Sequence, residues 1–133
     1  MIGKTGDLSR QLGRACSAVC RDSFTAELAG GGRLVSSRLL EYEVWSRIHA
    51  RGFHRSHNVE VRALLARVDM IEMDKPVLAR ALEPFPIALR TLDALHLATI
   101  EFLRRQGDSV ELASYDNRLL AAAQALGVPL AAL

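Results

Sequence analysis

The sequence predicts an α/β domain in which a short parallel sheet is covered by helices on both faces. Two observations carry that prediction. From residue 33 onward, short apolar runs bounded by Ser, Asp or Gly alternate with longer stretches of helical apolar spacing. The alternation is regular, as a parallel sheet requires, because each parallel strand needs a crossover before the next. At 133 residues, half of them apolar and 24% charged, the chain reads as one domain over 1–133 with enough core to fold without staples.

Taken in order, the elements divide the chain near residue 33. Residues 1–32 hold both cysteines, six of the nine glycines and no proline, and form an atypical N-terminal segment. Within it Leu8, Leu12, Ala15 and Val19 line one helical face, and "GGG" at 30–32 reads as a loop. "RLVSS" at 33–37 is a strand, followed by a helix over 38–52 that Gly52 closes. A helix over 57–68 leads into a strand over 68–74. The helix over 75–83 has Pro76 near its start, where a missing N–H costs nothing. After the loop "PFPIALR", a helix over 91–106 begins with Thr91 as its N-cap. A strand over 109–114, a helix over 116–127 closed by Gly127, and a last short strand "VPL" complete the order. No internal repeat or low-complexity tract interrupts it.

Charge and composition narrow the function classes. Net charge is only +2, but fifteen arginines stand against two lysines. Arginine suits bidentate phosphate contacts, so nucleic acid is a permitted partner, although gene base composition yields Arg-rich, Ala-rich chains equally well. No apolar run approaches the ~20 residues of a membrane span, and "MIGKTGDLSR" lacks the apolar core of a secretory signal. The expectation is a cytoplasmic protein with no membrane contact. Two cysteines are too few for a disulfide framework. "GKT" at 3–5 lacks the glycine spacing and strand of a phosphate loop, and Cys16, Cys20, His54 and His57 lack the paired spacing of a zinc site.

Three acids fall where an open parallel sheet binds ligands, beyond the carboxyl ends of its strands. Glu43 lies about two turns into the helix after strand 33–37, Asp93 in the first turn of its helix, and Asp116 just after strand 109–114. Each alone is accounted for by a helix terminus or by solvent. Gathered at one point, two carboxylates ~4 Å apart would repel by ~4 kcal/mol at an effective dielectric of 20. A hard divalent cation removes that penalty, and Mg²⁺ or Mn²⁺ takes oxygen ligands with several retained waters. His96 reads as a packed or hydrogen-bonded histidine near Asp93, with support of a metal ligand as the alternative, and Trp45 as a core or interface residue.

The stretches "SSRLLEYEVWSRI", "RTLDALHLAT" and "LASYDNRLLAAAQALGVPL", in that order over residues 33–130, resemble PIN-domain proteins, most closely the VapC-type toxins of bacterial toxin–antitoxin pairs. The resemblance implies a PIN-like three-layer domain with a short parallel sheet flanked by helices. It implies a Mg²⁺-dependent endoribonuclease, Mn²⁺ being an alternative ion, with an RNA substrate, a cognate antitoxin as partner, and a homodimer. It assigns metal-site roles to Glu43, Asp93 and Asp116, and favours Glu43 over Glu41 because Glu43 stands just before Val44. The family's first strand ends in an aspartate ligand, and here only Asp7 in "GDLS" or Asp22 in "AVCRDS" is available. Two accounts follow: a degenerate domain, or a shifted reading frame over 1–32. The second predicts loose packing and a gap in mid-sheet. The alternative function is a catalytically impaired PIN-like module that keeps antitoxin or dimer binding.

Overall fold

A computed structural model describes residues 25–28 and 33–131. Asp7, Asp22, both cysteines and the helical face at Leu8–Val19 lie outside the described residues. The elements are β1 (Thr25–Leu28), β2 (Arg33–Ser37), α1 (Leu39–Ala50), α2 (Asn58–Leu65), β3 (Val68–Ile71), α3 (Lys75–Leu82), α4 (Thr91–Arg105), β4 (Val110–Ala113) and α5 (Asn117–Ala125). Every strand and helix read from residue 33 onward is present, with helices trimmed by a few residues where their ends become turns.

The sheet order is β3-β2-β1-β4. β2 and β3 are parallel, with Leu34 opposite Val68 and Ser37 opposite Ile71. β1 is antiparallel to both of its neighbours, so β2, β3 and β4 all point one way. The expected "VPL" strand is a parallel bridge of Leu130 to Leu112, held by Leu112 N–H donating to the Pro129 carbonyl at 2.8 Å.

The gap expected in mid-sheet is closed by β1. Without it, β2 and β4 would each present an unpaired edge. Its direction follows from chain length. Only residues 29–32 separate β1 from β2, enough for a connection between antiparallel neighbours and too few for a crossover.

Two apolar clusters cover the sheet and make three layers. On one face Val35, Val110 and Leu112 pack against Leu97, Ile100 and Leu103 of α4 and Leu119, Ala122 and Ala123 of α5. The other cluster joins Leu40, Val44 and Ile48 of α1 to Val61 of α2, with Val68 and Met70 of β3 packed on it. Alternation along β3 sends Val68 and Met70 to one cluster and Ile71 to the other, as the two-residue period of a strand dictates.

Local signals set the helix ends. Gly52 adopts φ +70°, and the N–H groups of Gly52 and Phe53 donate to the carbonyls of His49 and Ile48, both at 3.0 Å. This is the paired closure that favours glycine after a helix. Asp74 caps α3 through Val77 N–H at 3.4 Å, just ahead of Pro76. The expectation of Thr91 as an N-cap is corrected. Arg90 is the cap residue (φ −71°, ψ 158°), Thr91 is already helical, and no side chain caps this terminus. The preceding loop decides the entry: Phe85, Ile87 and Leu89 pack onto the core, and the extended path they impose ends at Arg90.

Candidate functional site

The parallel direction of β2, β3 and β4 gathers their carboxyl ends at one edge of the sheet, and the three acids meet there. Glu43 comes from the second turn of α1, which leaves β2 at that edge. Asp93 comes from the first turn of α4. Asp116 follows the end of β4 and opens α5. All three line a cleft of about 380 Å³ together with Arg47, Arg90, Thr91 and Leu92.

Each acid has a distinct environment. Asp93 is 9% exposed, and its carboxyl is held above the ordinary aspartate range. Burial is the main cause, and the neighbouring charges of Asp116 and Glu43 push in the same direction, while His96 and Arg90 oppose it. Asp93 is therefore a buried acid whose electrostatic neighbours include two further carboxylates.

Asp116 does both things that its position allows. One of its oxygens, Oδ1, accepts from the N–H groups of Arg118 at 2.8 Å and Leu119 at 3.1 Å, capping α5. Its own N–H donates to Ser114 Oγ at 3.0 Å, which fixes the turn leaving β4.

Glu43 is 6% exposed. Its Oε2 lies 3.0 Å from His96 Nε2, and His96 Nδ1 lies 2.9 Å from Ser37 Oγ. Glu41, the competing acid on the same helix, is exposed and pairs with Arg38. The structure thus separates the two glutamates by environment, and the buried one is the one facing the cleft.

The donor chemistry suits a hard cation, because the acidic groups of the cleft offer carboxylate oxygens only. The His96 pair uses one oxygen of Glu43, and the α5 cap uses one oxygen of Asp116. Among the described residues, no group of three His, Cys, Asp or Glu side chains is placed to hold a metal ion as they stand. What speaks for a cation is the oxygen donor chemistry of the acids lining the cleft.

Three residues of the site were not singled out from sequence or were read differently. Arg47 lines the cleft four residues after Glu43, a spacing that places both on one face of α1. Arg90 sits directly before the α4 terminus. Ser37 ends β2, fully buried. The helical spacing could have found Arg47; Ser37 carries no such signal. The histidines considered for zinc have other neighbours: His54 packs edge-on against His49 at 5.4 Å, and His57 lies 2.7 Å from Ser56 Oγ and 5.1 Å from the Phe53 ring. Trp45 packs beside the α1–α2 cluster, with the Arg62 guanidinium 5.5 Å from its ring centre.

Comparison with known proteins adds a family. A family model described as "PIN domain" matches residues 17–125, a span that includes Asp22 and begins after Asp7. The chain is 40% identical over 94 residues to "Ribonuclease VapC46" of Mycobacterium tuberculosis (strain ATCC 25618 / H37Rv), covering 71% of this chain and 69% of that protein. It is 36% identical over 100 residues to "Ribonuclease VapC35" of M. tuberculosis (strain CDC 1551 / Oshkosh), covering 75% and 73%. It is 31% identical over 107 residues to "Ribonuclease VapC47" of the same strain, covering 80% and 76%. No solved structure matches the chain.

Proposed function

The chain belongs to the PIN-domain family, in its VapC-type branch, and from that premise we propose that it is a divalent-metal-dependent endoribonuclease, the toxin of a toxin–antitoxin pair. The observation that carries the proposal is the convergence of Glu43, Asp93 and Asp116, from three separate elements, on one cleft shared with Arg47 and Arg90. Mg²⁺, or Mn²⁺ in its place, would be held by the carboxylates of Glu43, Asp93 and Asp116. The bound ion supplies Lewis acidity toward a water and a phosphate oxygen.

The chain's own residues supply the rest. Arg47 and Arg90 border the carboxylates and offer guanidinium donors to the phosphates flanking the bond to be cleaved, the geometry in which arginine exceeds lysine. Arg90 also opposes the rise in the Asp93 pKa, which keeps that carboxylate available to an ion. Asp116, tied to the first turn of α5, cannot swing away from the cleft without losing two hydrogen bonds.

The partners that follow are an RNA substrate, a cognate antitoxin and a second copy of the chain. An apolar groove of about 720 Å³ between α3 and the start of α4, lined by Leu78, Leu82, Phe85, Ile87 and Leu95, supports the homodimer. Leu82 at its rim is 89% exposed. Among the described residues no helix is long and apolar enough to cross a membrane.

A second reading, a catalytically impaired module that keeps antitoxin or dimer binding, is favoured by β1. The strand between β2 and β4 reads "TAEL", without the aspartate that the family's first strand supplies. One experiment separates the two. Cleavage of a single-stranded RNA in Mg²⁺, stopped by EDTA and by Asp93→Asn, supports the nuclease. No cleavage by the parent protein at any Mg²⁺ or Mn²⁺ concentration rejects it in favour of the binding module.

A further inference from the structure

His96 follows Asp93 by three residues on α4, so the two side chains leave nearly the same face of the helix. It is 1% exposed, and it stands between Ser37 at the end of β2 and Glu43 in α1. A carboxylate can only accept, so the ring nitrogen facing Glu43 Oε2 at 3.0 Å must carry a proton. With the proton on Nε2, Nδ1 can accept from the Ser37 hydroxyl at 2.9 Å. In that tautomer the two contacts are complementary, and the chain Ser37–His96–Glu43 ties three elements together.

We propose that His96 is a positioning residue: its Nε2–H holds one oxygen of Glu43, Ser37 fixes the tautomer, and the other oxygen is thereby presented to the cation. The inference rests on the metal-site reading of the cleft. Its physical basis is rotamer freedom. A glutamate has three rotatable side-chain bonds, and a ligand that must be ordered by the ion binds it more weakly than one ordered in advance. Outer partners of this kind are worth about 10–100-fold in metal affinity.

The test is Mn²⁺ binding by isothermal titration to the full chain and to three variants, with folding checked by far-ultraviolet circular dichroism. His96→Leu fills the buried space without a donor, and its Mn²⁺ Kd is expected to rise about 10–100-fold. His96→Gln keeps an N–H at similar reach, and its Kd is expected to stay within about threefold of the parent, a rescue that a purely packing role does not produce. Ser37→Ala frees the tautomer and is expected to fall between them. A folded His96→Leu that binds Mn²⁺ as tightly as the parent overturns the positioning role and leaves the metal site standing. A parent chain that takes up no Mn²⁺ overturns the metal site and the positioning role together. Long-range ¹H–¹⁵N spectra of the metal-free parent supply a readout independent of every variant: the Nε2–H tautomer is expected, and an Nδ1–H tautomer overturns the proposal.

Discussion

Asp93 carries its charge against its surroundings. Its carboxyl is raised by burial first and by Asp116 and Glu43 next, so the folded protein holds that proton to a higher pH than the unfolded chain does. Stability from this group is therefore fully present below the ordinary aspartate pKa and is lost as pH rises through the raised value. In EDTA, thermal melts of the parent are expected to decline across that window, and Asp93→Asn is expected to flatten the decline and to melt at or above the parent at pH 7. On the proposed function, the same variant is expected to lose Mg²⁺-dependent RNA cleavage, because an amide carries no charge to offset that of the ion. A melt lowered by Asp93→Asn in EDTA would contradict the repulsion account. Asp116 allows a cleaner separation of structure from chemistry. Asp116→Ala removes the α5 cap and is expected to cost about 1 kcal/mol in urea denaturation. Asp116→Asn keeps an oxygen for the cap, so it is expected to remain within about 0.5 kcal/mol of the parent while losing cleavage.

Among the elements, α3 is held to α4 by a buried ion pair. Arg80, 5% exposed, pairs with Glu101 on α4, and its guanidinium lies 4.2 Å from the centre of the Phe85 ring. Removing one partner leaves the other charge buried, so Arg80→Ala is expected to destabilise by about 3–5 kcal/mol, measured by urea midpoint at constant slope. Arg80→Met with Glu101→Leu is expected to recover most of that loss, since neither charge then remains to be paired. The pair lies on the α3 side of α4, and its loss weakens the groove wall as well as the helix contact. At the other end of the fold, Gly52 holds φ +70° with open space around its α-carbon, so Gly52→Ala tests backbone strain alone. It is expected to cost about 1 kcal/mol, read from the same denaturation curve.

At the scale of the whole molecule, the apolar groove beside α3 and the carboxylate cleft lie on opposite sides of the α4 N-terminus, the groove meeting Ala94 and Leu95 and the cleft meeting Leu92 and Asp93. Thr91 lines both. In the proposed dimer, a second copy seated in the groove would adjoin the cleft at Thr91. Leu82→Glu places a charge at the exposed rim of that groove without disturbing a buried contact. It is expected to convert a dimer to a monomer in light scattering coupled to size exclusion, with the melt of the monomer changed by less than about 0.5 kcal/mol. A parent that is monomeric at every concentration removes the dimer from the reading and leaves the cleft untouched.

What the sequence determined by itself are features set by interactions a few residues long. Pro76 after Asp74 starts α3, Gly52 and Gly127 end their helices, and "RLVSS" and "VELA" are strands because their apolar residues suit a buried sheet. The family resemblance pointed to Glu43, Asp93 and Asp116, and the fold brings these three acids to one cleft. The tertiary structure alone decided what depends on distant partners. His96 meets Glu43 across 53 residues and Ser37 across 59, so nothing near "DALHLA" specifies either contact. Arg90 rather than Thr91 begins α4 because a loop packs onto a core built from other elements. β1 also pairs with β4 far along the chain, which no local signal specifies, while its direction beside β2 follows from the short link between them. Local preference acts over one helical turn, whereas the choice of which acid is buried or paired is made by groups that only folding brings within hydrogen-bond reach.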